Sequence, residues 1–75
     1  MLFPNKLFTY SESVISKLPI ILIELQRESI SAVELYKRLA DRLTGVSEYL
    51  DALDCLFALR KIEFDEEEGV LRYVD

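Results

Sequence analysis

Histidine is absent from this 75-residue chain, and so is tryptophan. Without histidine the chain lacks the side chain that most often serves as a general base near neutral pH, and the commonest metal-binding group. Glycine occurs only at Gly45 and Gly69, so no glycine-rich loop able to cradle a phosphate can be built. The single cysteine, Cys55, has no intramolecular disulfide partner, which points to a reducing compartment and a cytoplasmic location. Its neighbour Asp54 opposes formation of a thiolate, so Cys55 is expected to be a structural thiol rather than a nucleophile.

Positive charge is also scarce. Nine basic residues stand against fourteen acidic ones, a net charge of −5, whereas a nucleic-acid module of this size normally carries the opposite sign. The longest apolar run, Leu18 to Ile23, falls far short of the roughly 20 residues that a membrane span needs. The opening Met1 to Lys6 is interrupted by Pro4 and Lys6 and does not read as a signal peptide. The acidic run Asp65-Glu66-Glu67-Glu68 lacks the spaced ligands and central glycine of a calcium loop, and reads as a solvated turn that discourages edge pairing. No catalytic residue, cofactor, metal or enzymatic activity is expected.

What is present is a 51% hydrophobic composition with charges interspersed, enough for one small folded domain over residues 1–75. Residues 1–10 hold Leu2, Phe3, Leu7, Phe8 and Tyr10 around Pro4-Asn5 and read as an extended arm, with Lys6 to Thr9 a possible extra strand. Three helices are expected within residues 11–59. In the first, Val14, Ile15, Leu18, Ile21, Leu22 and Leu25 follow the spacing of a buried stripe. Pro19 predicts either a kink near Ile15 or a fresh start capped by Ser16, with Lys17 to Gln26 helical in both cases.

The second helix has the clearest start. Ser31 is placed as its N-cap, Glu34 completes a capping box, and Ile30 with Leu35 forms a hydrophobic staple. Replacing Ser31 with alanine is expected to cost about 1 kcal/mol. Leu35, Tyr36, Leu39 and Leu43 make its stripe, and Gly45 is expected to supply a left-handed C-terminal turn. The third helix, Ser47 to Leu59, takes Ser47 as N-cap. Leu50, Leu53, Leu56, Phe57 and Leu59 form its buried face, with Tyr49 at the edge and Glu48, Asp51, Cys55 and Ala58 near the opposite side. After Arg60 the period changes from 3.6 to 2, predicting a hairpin over residues 61–74 with Gly69 at a positive-φ position of its turn.

Three helices followed by a hairpin outline an α+β, small winged helix-turn-helix domain, in which the third helix is the one usually presented to DNA. Here that helix carries Glu48, Asp51 and Asp54 and no cation. The residues available to a DNA-binding reading are Lys37, Arg38, Arg42, Arg60 and Lys61, a set that surface salt bridges with Glu34 and Asp41 also explain. The aromatic surplus instead favours contact with protein. The candidate docking residues are Leu2, Phe3, Phe8, Tyr10, Tyr49, Asp51, Asp54 and Tyr73. A homodimeric, antitoxin-like regulator is a further alternative, as is a small winged-helix transcriptional regulator.

Four segments carry a family resemblance. They are Leu-Phe-Pro-Asn-Lys at 2–6, Ser-Val-Ile-Ser-Lys-Leu-Pro-Ile-Ile-Leu at 13–22, Ser-Ala-Val-Glu-Leu-Tyr at 31–36, and Ala-Leu-Asp-Cys-Leu-Phe-Ala-Leu-Arg-Lys-Ile-Glu-Phe-Asp at 52–65. Together they resemble the small middle components of bacterial ABC-three-component systems. The family's recurring Leu-Pro-Asn-Lys start is matched by Phe3-Pro4-Asn5-Lys6, with phenylalanine replacing leucine. The resemblance implies a winged-helix-like adaptor without a catalytic motif, partnered by an SMC-like ABC ATPase and a further variable component, in defence against phage or plasmids. It also implies that Leu2 to Lys6 contribute to docking.

Overall fold

The computed structural model describes the backbone of residues 3–75 and the side chains of residues 9–75. Helix α1 is a single element, Phe3–Arg27. The extended arm expected over residues 1–10 is therefore helical from Phe3 onward, and the strand expected at Lys6 to Thr9 does not form. Pro4 explains the difference: it is the second residue of α1, in the first turn, where its missing amide would have had no intrahelical acceptor. Pro19 lies inside α1 without ending it, so the fresh start at Ser16 does not occur. It sits on an exposed side, where a carbonyl released from the ladder can be hydrated.

Helix α2 spans Ala32–Leu39. Ser31 is its N-cap, with the Glu34 amide donating to the Ser31 hydroxyl at 3.1 Å, as the sequence predicts. A 3₁₀ turn, Ala40–Arg42, ends this region and is closed by the Leu43 amide on the Ala40 carbonyl at 3.2 Å. Gly45 does not take the left-handed conformation expected of it; its φ of 165° is extended backbone, and it serves instead as the N-cap of α3, Val46–Ala58. Ser47 is consequently inside the first turn rather than capping it. The C-terminus of α3 closes with two bonds, Arg60 amide to Phe57 carbonyl (3.0 Å) and Lys61 amide to Leu56 carbonyl (2.9 Å). This is a Schellman motif, and Arg60 occupies the left-handed position, φ 61°, usually given to glycine.

Strands β1 (Ile62–Asp65) and β2 (Val70–Tyr73) form an antiparallel ribbon in which Ile62 faces Tyr73 and Phe64 faces Leu71. The turn between them uses Gly69 at φ 70°, as expected, and the Asp65 carboxylate accepts the Glu67 and Glu68 amides at 3.0 and 3.1 Å. Arg72 pairs with Asp65 and approaches Glu63 at 3.7 Å across the ribbon. A third segment does join the ribbon, but it comes from the link between α1 and α2: Ile30 bridges to Leu71, whose amide donates to the Ile30 carbonyl at 2.8 Å.

These elements enclose one apolar cluster: Val14, Ile21 and Leu25 of α1, Leu35 and Leu39 of α2, Tyr49, Ala52, Leu53 and Leu56 of α3, and Ile30, Ile62 and Leu71 at the ribbon. The buried arc of α3 is rotated from the expected one. Leu50, Phe57 and Leu59 are exposed, whereas Glu48, expected on the outer side, is buried. The apolar arc of α3 is wider than its neighbours cover, so packing rather than hydrophobicity selects which leucines enter the core.

Candidate interaction surfaces

At 100° per residue, the two edges of α3 meet different neighbours. One edge faces α1, and there a buried carboxylate organises the contact. Glu48 accepts the Ser13 hydroxyl, the Thr44 amide at 2.9 Å and the Lys17 ammonium at 3.3 Å. Lys17 is itself largely covered and also reaches the Ser13 carbonyl at 3.5 Å. Burial acts to raise the Glu48 pKa, but the bonds from Ser13, Thr44 and Lys17 outweigh it and hold the group at about 2. Glu48 is the third residue of α3 and reaches back past the N-cap, in the manner of a capping-box glutamate. One turn further along, the Tyr10 hydroxyl donates to Asp51, a bond that raises the Tyr10 pKa. A shallow open groove of about 250 Å³, lined by Tyr10, Ser11, Val14, Ile15, Asp51 and Cys55, runs beside this contact.

The other edge faces α2. Tyr49 packs its ring on Tyr36, with centroids 5.0 Å apart and planes tilted by 51°, and donates its hydroxyl to the Ala32 carbonyl at 2.6 Å. Burial pushes the Tyr49 phenol up to about 12. Outside this pair lies a second groove of about 200 Å³, lined by Ala32, Val33, Tyr36, Val46, Tyr49 and Leu50. Val33, Val46 and Leu50 are 66%, 54% and 52% exposed, so this edge leaves apolar surface in water.

The sequence-derived docking residues are thus dispersed. Leu2 lies outside the described residues, and Phe3 and Phe8 are placed only as backbone positions of α1. Tyr10 and Asp51 are brought together, both exposed. Asp54 is exposed on the outer face of α3, and Tyr73 is half-buried against the core. Tyr49 is buried at 2% exposure and is a core residue, not a surface one. Sequence reading missed Ser13, Lys17 and Glu48 as one unit. The available signal was Lys17 in a stripe of otherwise apolar positions, a charge that needs a partner when covered.

The cations of the DNA reading do not form one patch. Arg38 is held by Glu24 at 3.2 Å and Glu28 at 3.0 Å, not by the Glu34 and Asp41 partners expected for this group. Arg42 and Arg60 lie before and after α3, a helix of thirteen residues and so about 20 Å long. Among the described residues no group of histidine, cysteine or carboxylate side chains could hold a metal ion, and no helix is long and apolar enough to cross a membrane.

Comparison with known proteins agrees with the resemblance carried by the four sequence segments. No curated protein and no solved structure gives a significant match. The family model described as ABC-three component (ABC-3C) system Middle Component 7 matches residues 3–71, which takes in all three helices and most of the ribbon. A middle component of a multi-component system has protein partners by definition of its place, and this chain belongs to that middle-component family.

Proposed function

We propose that the chain is a non-enzymatic adaptor, the middle subunit that docks onto an SMC-like ABC ATPase and an associated effector in a bacterial anti-phage or anti-plasmid complex. The match to the middle-component family over residues 3–71 is the observation that carries this reading. The fold is read as a winged helix, supported by three helices, an antiparallel ribbon and the bridge from Ile30 that adds a third segment to it. In that reading α3 does not enter a DNA groove. It contains no lysine or arginine to displace counterions or to reach base edges, so the isolated chain does not bind duplex. Binding to the larger partner stabilises the small domain by mass action.

The test is co-expression with the other two components encoded beside it, followed by size-exclusion chromatography. Co-elution with the ATPase is expected; elution as a lone domain at every salt concentration would refute the adaptor reading. A parallel measurement with labelled duplex at low salt is expected to show no binding by the isolated chain.

A further inference from the structure

The outer face of α3 combines an exposed apolar stripe with a border of carboxylates. Val46, Leu50 and Phe57 follow one another at i, i+4 and i+11 along a single side, all exposed, over about 16 Å of helix. Toward α2 this stripe is continuous with the groove that Val33 and Tyr36 help to line. On its other side the stripe is bordered by Asp54 and then Asp51, with no cation anywhere on α3. Among the described residues Asp54 has no ion-pair or hydrogen-bond partner, and Asp51 meets only the neutral hydroxyl of Tyr10.

We propose that this face receives an amphipathic helix of a partner subunit whose apolar stripe is flanked by lysine or arginine; the proposal rests on the adaptor reading above and assigns its contact surface. Anchors on the incoming helix at i, i+3 or i+4, i+7 and i+11 match the length of the stripe and fill the groove beside Leu50, as in helix-in-groove recognition. Its cations pair with Asp54 and Asp51. Charge also selects against the other occupants. A two-fold contact through this face would set the acids of two copies against each other, each chain carrying −5, and a nucleic acid would be repelled by the same carboxylates.

The experiment uses the complex of the full chain with its co-encoded components, and overlapping peptides spanning those components as probes in titration calorimetry. Variants Leu50→Glu and Asp54→Lys change exposed positions, and circular dichroism checks that both fold. A peptide with apolar residues at helical spacing and flanking cations is expected to bind. Leu50→Glu is expected to abolish its binding and Asp54→Lys to weaken it at least about tenfold, with recovery when a peptide cation is changed to glutamate. Glu12→Lys on α1 should change affinity by no more than about twofold. If the complex forms and survives both α3 variants, the surface assignment is overturned while the adaptor reading stands. If no component associates with the wild-type chain, both fall. If light scattering shows a dimer of the chain alone that Leu50→Glu dissociates, the occupant is a second copy and the proposal is overturned.

Discussion

The two edges of α3 are built on opposite terms. Toward α1 the contact is centred on a closed polar cluster: Glu48, Ser13, Lys17 and the Thr44 amide satisfy one another, and Tyr10 holds Asp51 one turn on, beside the shallow groove. Toward α2 the contact is apolar and open, with the Tyr36–Tyr49 pair inside and Val33, Val46 and Leu50 left outside. Buried charge contributes little net stability compared with a well-packed apolar pair, but removing one partner is costly. The α1 edge therefore fixes where α3 lies, and the α2 edge leaves apolar surface in water.

The largest expected effect comes from breaking the closed edge. Lys17→Met leaves the Glu48 carboxylate covered without its cation and is expected to cost about 3 kcal/mol in chemical denaturation. Leu50→Ser on the open edge should stay within about 0.5 kcal/mol. Equal losses from the two changes would erase the contrast between the edges.

Acid sharpens the same contrast. The folded pKa of Glu48, about 2, lies below its unfolded value near 4.5, so its contribution is complete above that unfolded value and is lost as pH falls toward 2. On the order of 2 kcal/mol should disappear over that window. Glu48→Gln should remove most of this pH dependence in melts recorded from pH 5 to pH 2. Asp65, lowered by the Glu68 amide and Arg72, titrates in the same direction, so the difference between the variant and the wild type is the measurement.

On the open edge, Tyr49→Phe removes the bond to the Ala32 carbonyl and should cost about 1–2 kcal/mol. Its titration has the opposite sign from that of Glu48. The phenol is raised from 10 to about 12, so its contribution is intact below pH 10 and is lost as pH rises through 12. Tyr49→Phe should therefore flatten the alkaline limb of stability and leave the acid limb unchanged.

A change of opposite sign lies where α3 ends. Arg60→Gly relieves a left-handed backbone at the Schellman position and should raise stability by about 1 kcal/mol, read as an upward shift in the thermal midpoint. Because Arg60 is beyond both edges, the change should leave partner affinity unaltered if docking uses the α2 side of α3.

Much of the architecture could be read from the residues in order. Ser31 with Glu34 placed the start of α2, the change of period after Arg60 placed the ribbon, and Gly69 placed its turn. Each of these rests on interactions within a few residues, which a local pattern encodes. The errors fell where distant residues decide. Pro4 signals a break in a short window, yet its position at the start of a long helix makes it harmless. Gly45 suggested a left-handed turn, but the 3₁₀ turn at Ala40–Arg42 had already closed the chain. Of the candidate docking residues, Asp51 and Asp54 were placed on the surface correctly, whereas Tyr49 was not, because an amphipathic ring suits a core and an interface equally well.

Three helices followed by a hairpin, the Ser31 cap and the family could be read from the residues in order, since periodicity, capping chemistry and motif residues are properties of neighbouring positions. Which part of the broad apolar arc of α3 is covered is set by packing between elements. Burial depends on what α1 and α2 place against the helix, and once Glu48 is locked to Ser13 and Lys17, Val46 and Leu50 are left facing outward.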